Sequence, residues 1–162
     1  MPVQFQPEGY HSITPYIIAD GASAAIDFYK ANFGATEVMR LPGPEGKVMH
    51  AEFQIGDSRI MIADPFPDMG ALSPGHFGGS PQHLMIYTED VDAMFNKAVE
   101  AGGEILRPLA DMFYGDRMGT LKDPFGHQWS IATHTEDVSE EEMAKRMEAM
   151  KDQGGCGGGE GG

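Results

Sequence analysis

The chain is 162 residues long, 41 % hydrophobic and 22 % charged, with a formal net charge of −14 at pH 7. That length bounds it to one domain, or to two small modules sharing a core. The charge excludes an electrostatic nucleic-acid partner, which needs clustered Lys and Arg, and no apolar run approaches the ~20 residues of a membrane span.

The first eight residues, Met-Pro-Val-Gln-Phe-Gln-Pro-Glu, have neither the basic nor the apolar region of a signal peptide. A single cysteine, Cys156, excludes an intrachain disulfide. The expected location is cytoplasmic. Ile13 to Ala19 reads as a strand from its β-branched and aromatic content. Asp20 is placed to cap a helix in which Ala24, Ala25, Phe28 and Tyr29 give i, i+4 apolar spacing, and Gly34 is placed to end it. Thr36 to Leu41 and Val48 to Ile55 read as strands, and Gly56-Asp57 turns the chain into a further strand, Ser58 to Ala63. Asp64 to Pro81 is rich in Pro, Gly and Ser and reads as a long loop, a connector or a flap.

The same order then recurs. His83 to Thr88 reads as a strand, Val91 to Ala101 as a helix, and Glu104 to Pro108 as a strand. Arg117 to Lys122 and Gln128 to Thr133 are strands flanking the turn Asp123-Pro124-Phe125-Gly126. Ser139 followed by Glu142 is a capping box for a last helix, Glu140 to about Lys151. Its Met143, Met147 and Met150 form a stripe suited to packing on the body or on a second subunit. The Gly-rich end carries Cys156 and is expected to be disordered. Laid over each other without a gap, the two halves place Thr14 on His83, Ile17 on Ile86 and Gly34 on Gly103. A repeat of this kind can build a site between its copies.

No nucleotide-binding glycine loop, Walker sequence or Gly-x-Ser-x-Gly elbow is present. What remains is histidine and carboxylate on strands. His83 shares a face with Met85 and Tyr87, and His50 shares one with Glu52, by the two-residue period of a strand. Tyr114 and Asp116 precede Arg117, whose planar fork either makes an ion pair or clamps an anion. His127 lies at a turn and His134 ends the last strand. Each histidine reads first as a surface or hydrogen-bonded core residue, and second as a member of a two-His, one-carboxylate set made of two ligands on one strand plus His83.

Thr14-Pro-Tyr-Ile-Ile-Ala-Asp20, the helix Ala25-Ile-Asp-Phe-Tyr29 and the Phe33-Gly34-Ala35 ending resemble the vicinal oxygen chelate superfamily. That superfamily holds glyoxalase I, bleomycin- and fosfomycin-resistance proteins and extradiol dioxygenases. His50-Ala-Glu-Phe-Gln-Ile-Gly-Asp-Ser58, Tyr114-Gly-Asp-Arg117 and Asp123-Pro-Phe-Gly-His-Gln-Trp-Ser-Ile-Ala-Thr-His134 resemble its PhnB-like branch. The resemblance implies an α+β fold of two βαβββ modules forming a cup-shaped sheet. It divides the chain into a first module at 12–66, a connecting loop at 67–81, a second module at 82–135, a C-terminal helix at 136–152 and a disordered tail at 153–162. It also implies four metal-binding positions, which fall on Thr14, Met61, His83 and Ser130. Of these only His83 is a competent ligand, so the usual four-ligand site is not expected.

Two functions from different classes follow. One is a small-molecule binder without a cofactor, its cup lined by Tyr16, His50, Glu52, His83, Met85, Tyr87, Tyr114, Arg117 and Ser130. The other is a lyase, isomerase or dioxygenase of the glyoxalase type. It would use His83 or Glu52 as general base, Arg117 to hold an anionic substrate, and a divalent metal in an unorthodox shell that includes His83. A homodimer is expected in either case.

Overall fold

The computed structural model describes residues 2–154, so Cys156 and residues 155–162 of the glycine-rich tail lie outside the described part. The first module comprises β1 (Tyr16–Ile18), α1 (Ala22–Phe33), β2 (Thr36–Pro42), β3 (Val48–Ile55) and β4 (Ser58–Ala63). The second comprises β5 (His83–Tyr87), α2 (Val91–Glu100), β6 (Glu104–Asp111), β7 (Asp116–Lys122) and β8 (Gln128–His134), and α3 (Glu140–Gly154) follows. Each module folds into a four-stranded sheet, ordered β1-β4-β3-β2 and β5-β8-β7-β6. In each, the first strand lies parallel to the last and the other pairs are antiparallel.

The repeat holds in three dimensions, with one slip. Tyr16 pairs with Met61 in the first sheet and Met85 with Ser130 in the second, as the gapless overlay requires. The two middle strands do not follow it. Met39 and Glu52 pair with each other, and their counterparts through the sheet are Arg107 and Thr120, one residue out of step with that overlay.

Helix starts differ from expectation. Asp20 does not cap α1. Gly21 takes the N-cap position with φ +94°, which suits a residue without Cβ, so Asp20 stands one place too early to reach the first turn. Asp64, just past the end of β4, does the work instead: its Oδ1 accepts from the Gly21 and Ala22 amides at 3.0 Å each, and its Oδ2 accepts from the Val48 amide at 2.6 Å. Asp90 caps α2 by accepting from the Ala93 amide at 3.1 Å. Ser139 accepts from the Glu142 amide, but the Glu142 carboxylate turns to Arg146 rather than back to the cap, and α3 runs on to Gly154. The loop at 64–81 holds two single 3-10 turns, Pro67–Met69 and Pro74–Phe77.

One hydrophobic core serves both modules. Ala25, Ile26, Tyr29 and Phe33 of α1 and Phe95 and Ala98 of α2 are buried with Phe53, Ile62, Leu121, Trp129 and Ile131 of the sheets. The Tyr29 ring centroid lies 5.1 Å from that of Trp129 and 5.3 Å from that of Phe53. The core is also tied by polar bonds. Asp123 Oδ2 accepts from the Tyr29 hydroxyl at 2.5 Å and from Trp129 Nε1 at 2.8 Å, while its Oδ1 accepts from the Phe125 and His127 amides. His127 Nε2 lies 2.7 Å from the carbonyl oxygen of Ile18. A buried carboxylate with four donors is satisfied, and burial with that carboxylate raises the Tyr29 pKa well above its ordinary value.

Candidate functional site

The helices cover one face of each sheet, and the alternation of the strands sends the polar side chains to the other. On β3, Ala51, Phe53 and Ile55 are buried in the core, so His50, Glu52 and Gln54 occupy the open face. On β8, Trp129 and Ile131 face the helices, which turns Ser130, Ala132 and His134 to the opposite face, where Ser130 and Ala132 are nonetheless buried. His83, Met85 and Tyr87 of β5 and Asp116, Met118 and Thr120 of β7 join them, by the same period and by their pairing with β8.

On the first module the open face carries a line of polar groups. The Tyr16 hydroxyl lies 2.9 Å from His50 Nδ1, and His50 Nε2 lies 3.7 Å from Glu52 Oε2. Tyr10, from the segment before β1, donates its hydroxyl to Glu52 Oε1. Burial, then the Glu52 charge, raises the Tyr16 pKa, so its phenol stays protonated at neutral pH.

The second module carries two clusters. His83 Nδ1 lies 2.8 Å from Ser130 Oγ, which lies 2.9 Å from Thr120 Oγ1. Farther along, Tyr87 donates to Asp116 Oδ2 at 3.1 Å, and His134 bridges Asp116 and Asp137 at 2.7 Å each. The hydrogen bond to Asp116, then that to Asp137, raises the His134 pKa above its ordinary value. The Tyr114 hydroxyl is 2.7 Å from Met118 Sδ.

Eight of the nine expected lining residues are therefore on or beside the open faces: Tyr16, His50, Glu52, His83, Met85, Tyr87, Tyr114 and Ser130. Arg117 is not. It alternates with Asp116 and Met118, so it points to the helix side, where its Nε donates to Asp92 at 2.9 Å and its Nη1 to Asp111 at 3.4 Å. The expected anion clamp is an ion pair between β7, α2 and β6. Thr120, Asp116 and Tyr10 were not expected at the site. Thr120 and Asp116 follow from the two-residue period once the face of β7 is fixed; Tyr10 lies in an irregular segment and carries no such signal.

β1 and β5 are edge strands of the two sheets, and two clefts have residues at or beside both strands in their walls. One, of about 610 Å³, has Tyr16, His83, His127 and residues of the 72–81 loop in its wall. The other, of about 350 Å³, is walled by Ile13, Pro15, Met85 and Tyr87. Tyr16 is 51 % exposed and Tyr87 62 % exposed, so neither ring is closed off within the core.

The four positions that superfamily membership would assign to a metal do not fit one. Met61 offers a thioether, Thr14 and Ser130 alcohols, and Ser130 is fully buried with its hydroxyl engaged by His83 and Thr120. Zinc, nickel or iron requires several imidazoles, thiolates or carboxylates. Among the described residues no three His, Cys, Asp or Glu side chains come together in a way that could hold a metal ion, so His50, Glu52 and His83 do not form a triad either. No described helix is long and apolar enough to cross a membrane.

Comparison with known proteins agrees with the fold. A protein of Mycobacterium bovis with no assigned function is 37 % identical over 144 residues, covering 87 % of this chain and 95 % of the relative. The anthracycline biosynthesis protein DnrV of Streptomyces peucetius is 33 % identical over 116 residues, 71 % of this chain but 38 % of that longer protein. The structure of the PhnB protein from Bacillus cereus superposes with a TM-score of 0.60 at 24 % identity, covering 76 % of this chain and 99 % of that one. The sequence profile of the Glyoxalase/Bleomycin resistance protein/Dioxygenase superfamily matches residues 10–131. With paired βαβββ modules as well as this match, the chain belongs to that superfamily.

Proposed function

We propose that the protein binds a small organic molecule in the clefts beside β1 and β5, without a divalent metal. The observation that carries this reading is the pair of clefts: their volumes, about 350 and 610 Å³, are the size of small-molecule sites, and the half-exposed Tyr16 and Tyr87 line them with His11, His83 and His127. The residues at the superfamily's metal positions support the second half of the reading, because they offer one imidazole among alcohols and a thioether. The relative named for anthracycline biosynthesis supports a polycyclic aromatic ligand as a first probe.

Thermal unfolding tests the proposal. A ligand at about a hundredfold excess over its Kd stabilises by about 2.7 kcal/mol, which for a chain of this size corresponds to a rise in Tm of about 5–10 °C. An anthracycline or another polycyclic aromatic is expected to give such a rise, while Zn²⁺, Ni²⁺, Mn²⁺ and Fe²⁺ leave Tm unchanged. A rise with one of the metals and none with organic ligands would overturn the proposal.

A further inference from the structure

The chain itself already occupies part of the first module's open face. The segment before β1 forms no helix or strand, and Val3 and Phe5 are 96 % and 99 % exposed. Its internal bonds, Gln6 Nε2 to the Tyr10 carbonyl at 2.5 Å and the Tyr10 amide to the Pro7 carbonyl at 3.2 Å, only fold it on itself. Tyr10 supplies its side-chain hydrogen bond to the sheet, while the Pro15 carbonyl accepts from the Met61 amide at 2.9 Å. The phenol donates to Glu52 Oε1, and the guanidinium carbon of Arg59 lies 4.9 Å from the centroid of the ring.

Glu52 and Arg59 stand on adjacent strands, β3 and β4, and Arg59 Nε donates to Gln54 Oε1 at 3.1 Å, which holds the guanidinium in place. Among the described residues Glu52 pairs with no Lys or Arg, its one ionic neighbour being His50 at 3.7 Å, and Arg59 pairs with no carboxylate. Two charged side chains on an open sheet face thus share the Tyr10 phenol as a partner. A carboxylate that accepts an O–H and a cation that lies over the ring together recognise a hydroxylated aromatic, and nothing in the pair is particular to tyrosine.

We propose that Glu52, Arg59 and Gln54 form a subsite for a phenol-bearing ring of the ligand, and that Tyr10 occupies it as an intramolecular stand-in. The inference rests on the reading that the protein binds a small molecule in the clefts, the smaller of which Arg59 lines, and it names that molecule's chemistry. Binding then exchanges one phenol for another and releases the segment. Tyr10 is the first residue of the region matched by the superfamily profile, and Gly9 beside it packs on the Arg59 guanidinium. Burial and Glu52 raise the Tyr10 pKa, which keeps the occupying phenol a donor.

Fluorescence titration with 2-naphthol and with its hydroxyl-blocked analogue 2-methoxynaphthalene tests this. Tyr10→Ala is expected to bind 2-naphthol about tenfold more tightly than the unaltered protein, the size of one hydrogen bond to a charged acceptor, with a smaller gain for the methyl ether. Adding Glu52→Ala to Tyr10→Ala should erase the difference between the two probes. Tyr10→Phe, which keeps the ring over Arg59 and frees only the carboxylate, should gain part of the naphthol affinity and guards against a folding defect. Equal gains for both naphthalenes, or unchanged naphthol affinity in Tyr10→Ala and Tyr10→Phe, would overturn the subsite. If these probes fail while an anthracycline still raises Tm, the subsite falls and small-molecule binding stands; if the anthracycline fails as well, both fall.

Discussion

Two buried aspartates show how one side-chain type serves different ends. Asp123 accepts four hydrogen bonds and has nothing to do with the open face; Asp116, equally buried, sits beneath Tyr87 and His134 on that face. His134 is consequently a pH-sensitive residue. Its folded pKa is raised above the unfolded value of ~6.5. The Asp116–His134 pair therefore adds stability that is fully present below pH ~6.5 and is lost as the pH rises through the raised value. In an NMR titration the His134 ring protons should show a midpoint above 6.5, and Asp116→Asn should bring it down; a midpoint at or below 6.5 in the unaltered protein contradicts the geometry. Most of the site residues could be read from the sequence because strand alternation is strict: His83, Met85 and Tyr87 fell on one face, as did His50 and Glu52. Arg117 was misplaced by the same rule, since its neighbour Asp116 holds the open-face position and Arg117 must take the other. Tyr10 had no period to reveal it.

Among the elements, bounds were legible wherever a turn residue marked them. Gly34 with φ +68° ends α1, and Gly56 with φ +58° turns β3 into β4. What a gapless overlay could not show is that β6 and β7 are one residue out of step with β2 and β3. Because a strand alternates every residue, a single step carries a comparison to the wrong face. In the gapless overlay His50 would correspond to Gly119, a core-side residue, whereas the sheet makes Met118 its counterpart. Gly119 itself has a packing reason. A Cβ there would lie 2.6 Å from Cε2 of Phe95, so α2 rests directly on the β7 backbone. Gly119→Ala should cost about 1–3 kcal/mol in urea denaturation by forcing the ring or the helix away. A neutral result would mean that α2 has room to lift. The start of α1 was the other misreading: the carboxylate that serves it, Asp64, is remote in sequence, and local capping rules do not see it.

At the scale of the whole molecule, the modules share a core in which Tyr29 and Phe33 of the first reach Trp129 of the second. The sequence foretold two modules, yet not how they are fastened, because the fastening depends on a carboxylate whose partners lie far apart in the chain. Asp123→Ala would strand the Tyr29 hydroxyl, the indole N–H and two amides. The expected loss is about 3–5 kcal/mol, since each buried donor left unpaired costs about 1–3 kcal/mol and part of the set can relax. Trp129, the single tryptophan, reports the transition by its own fluorescence. A loss below about 1 kcal/mol would show that the packing of Tyr29 on Trp129 suffices.

That fastening has a mechanical side. Asp123 and His127, which bind Tyr29 and Ile18 across the modules, belong to one short turn. Ile13 and Pro15 line the smaller cleft with Met85 and Tyr87, and the larger cleft with His127 as well. One short turn thus carries two polar ties between the modules, and a substitution that displaces it loosens both at once.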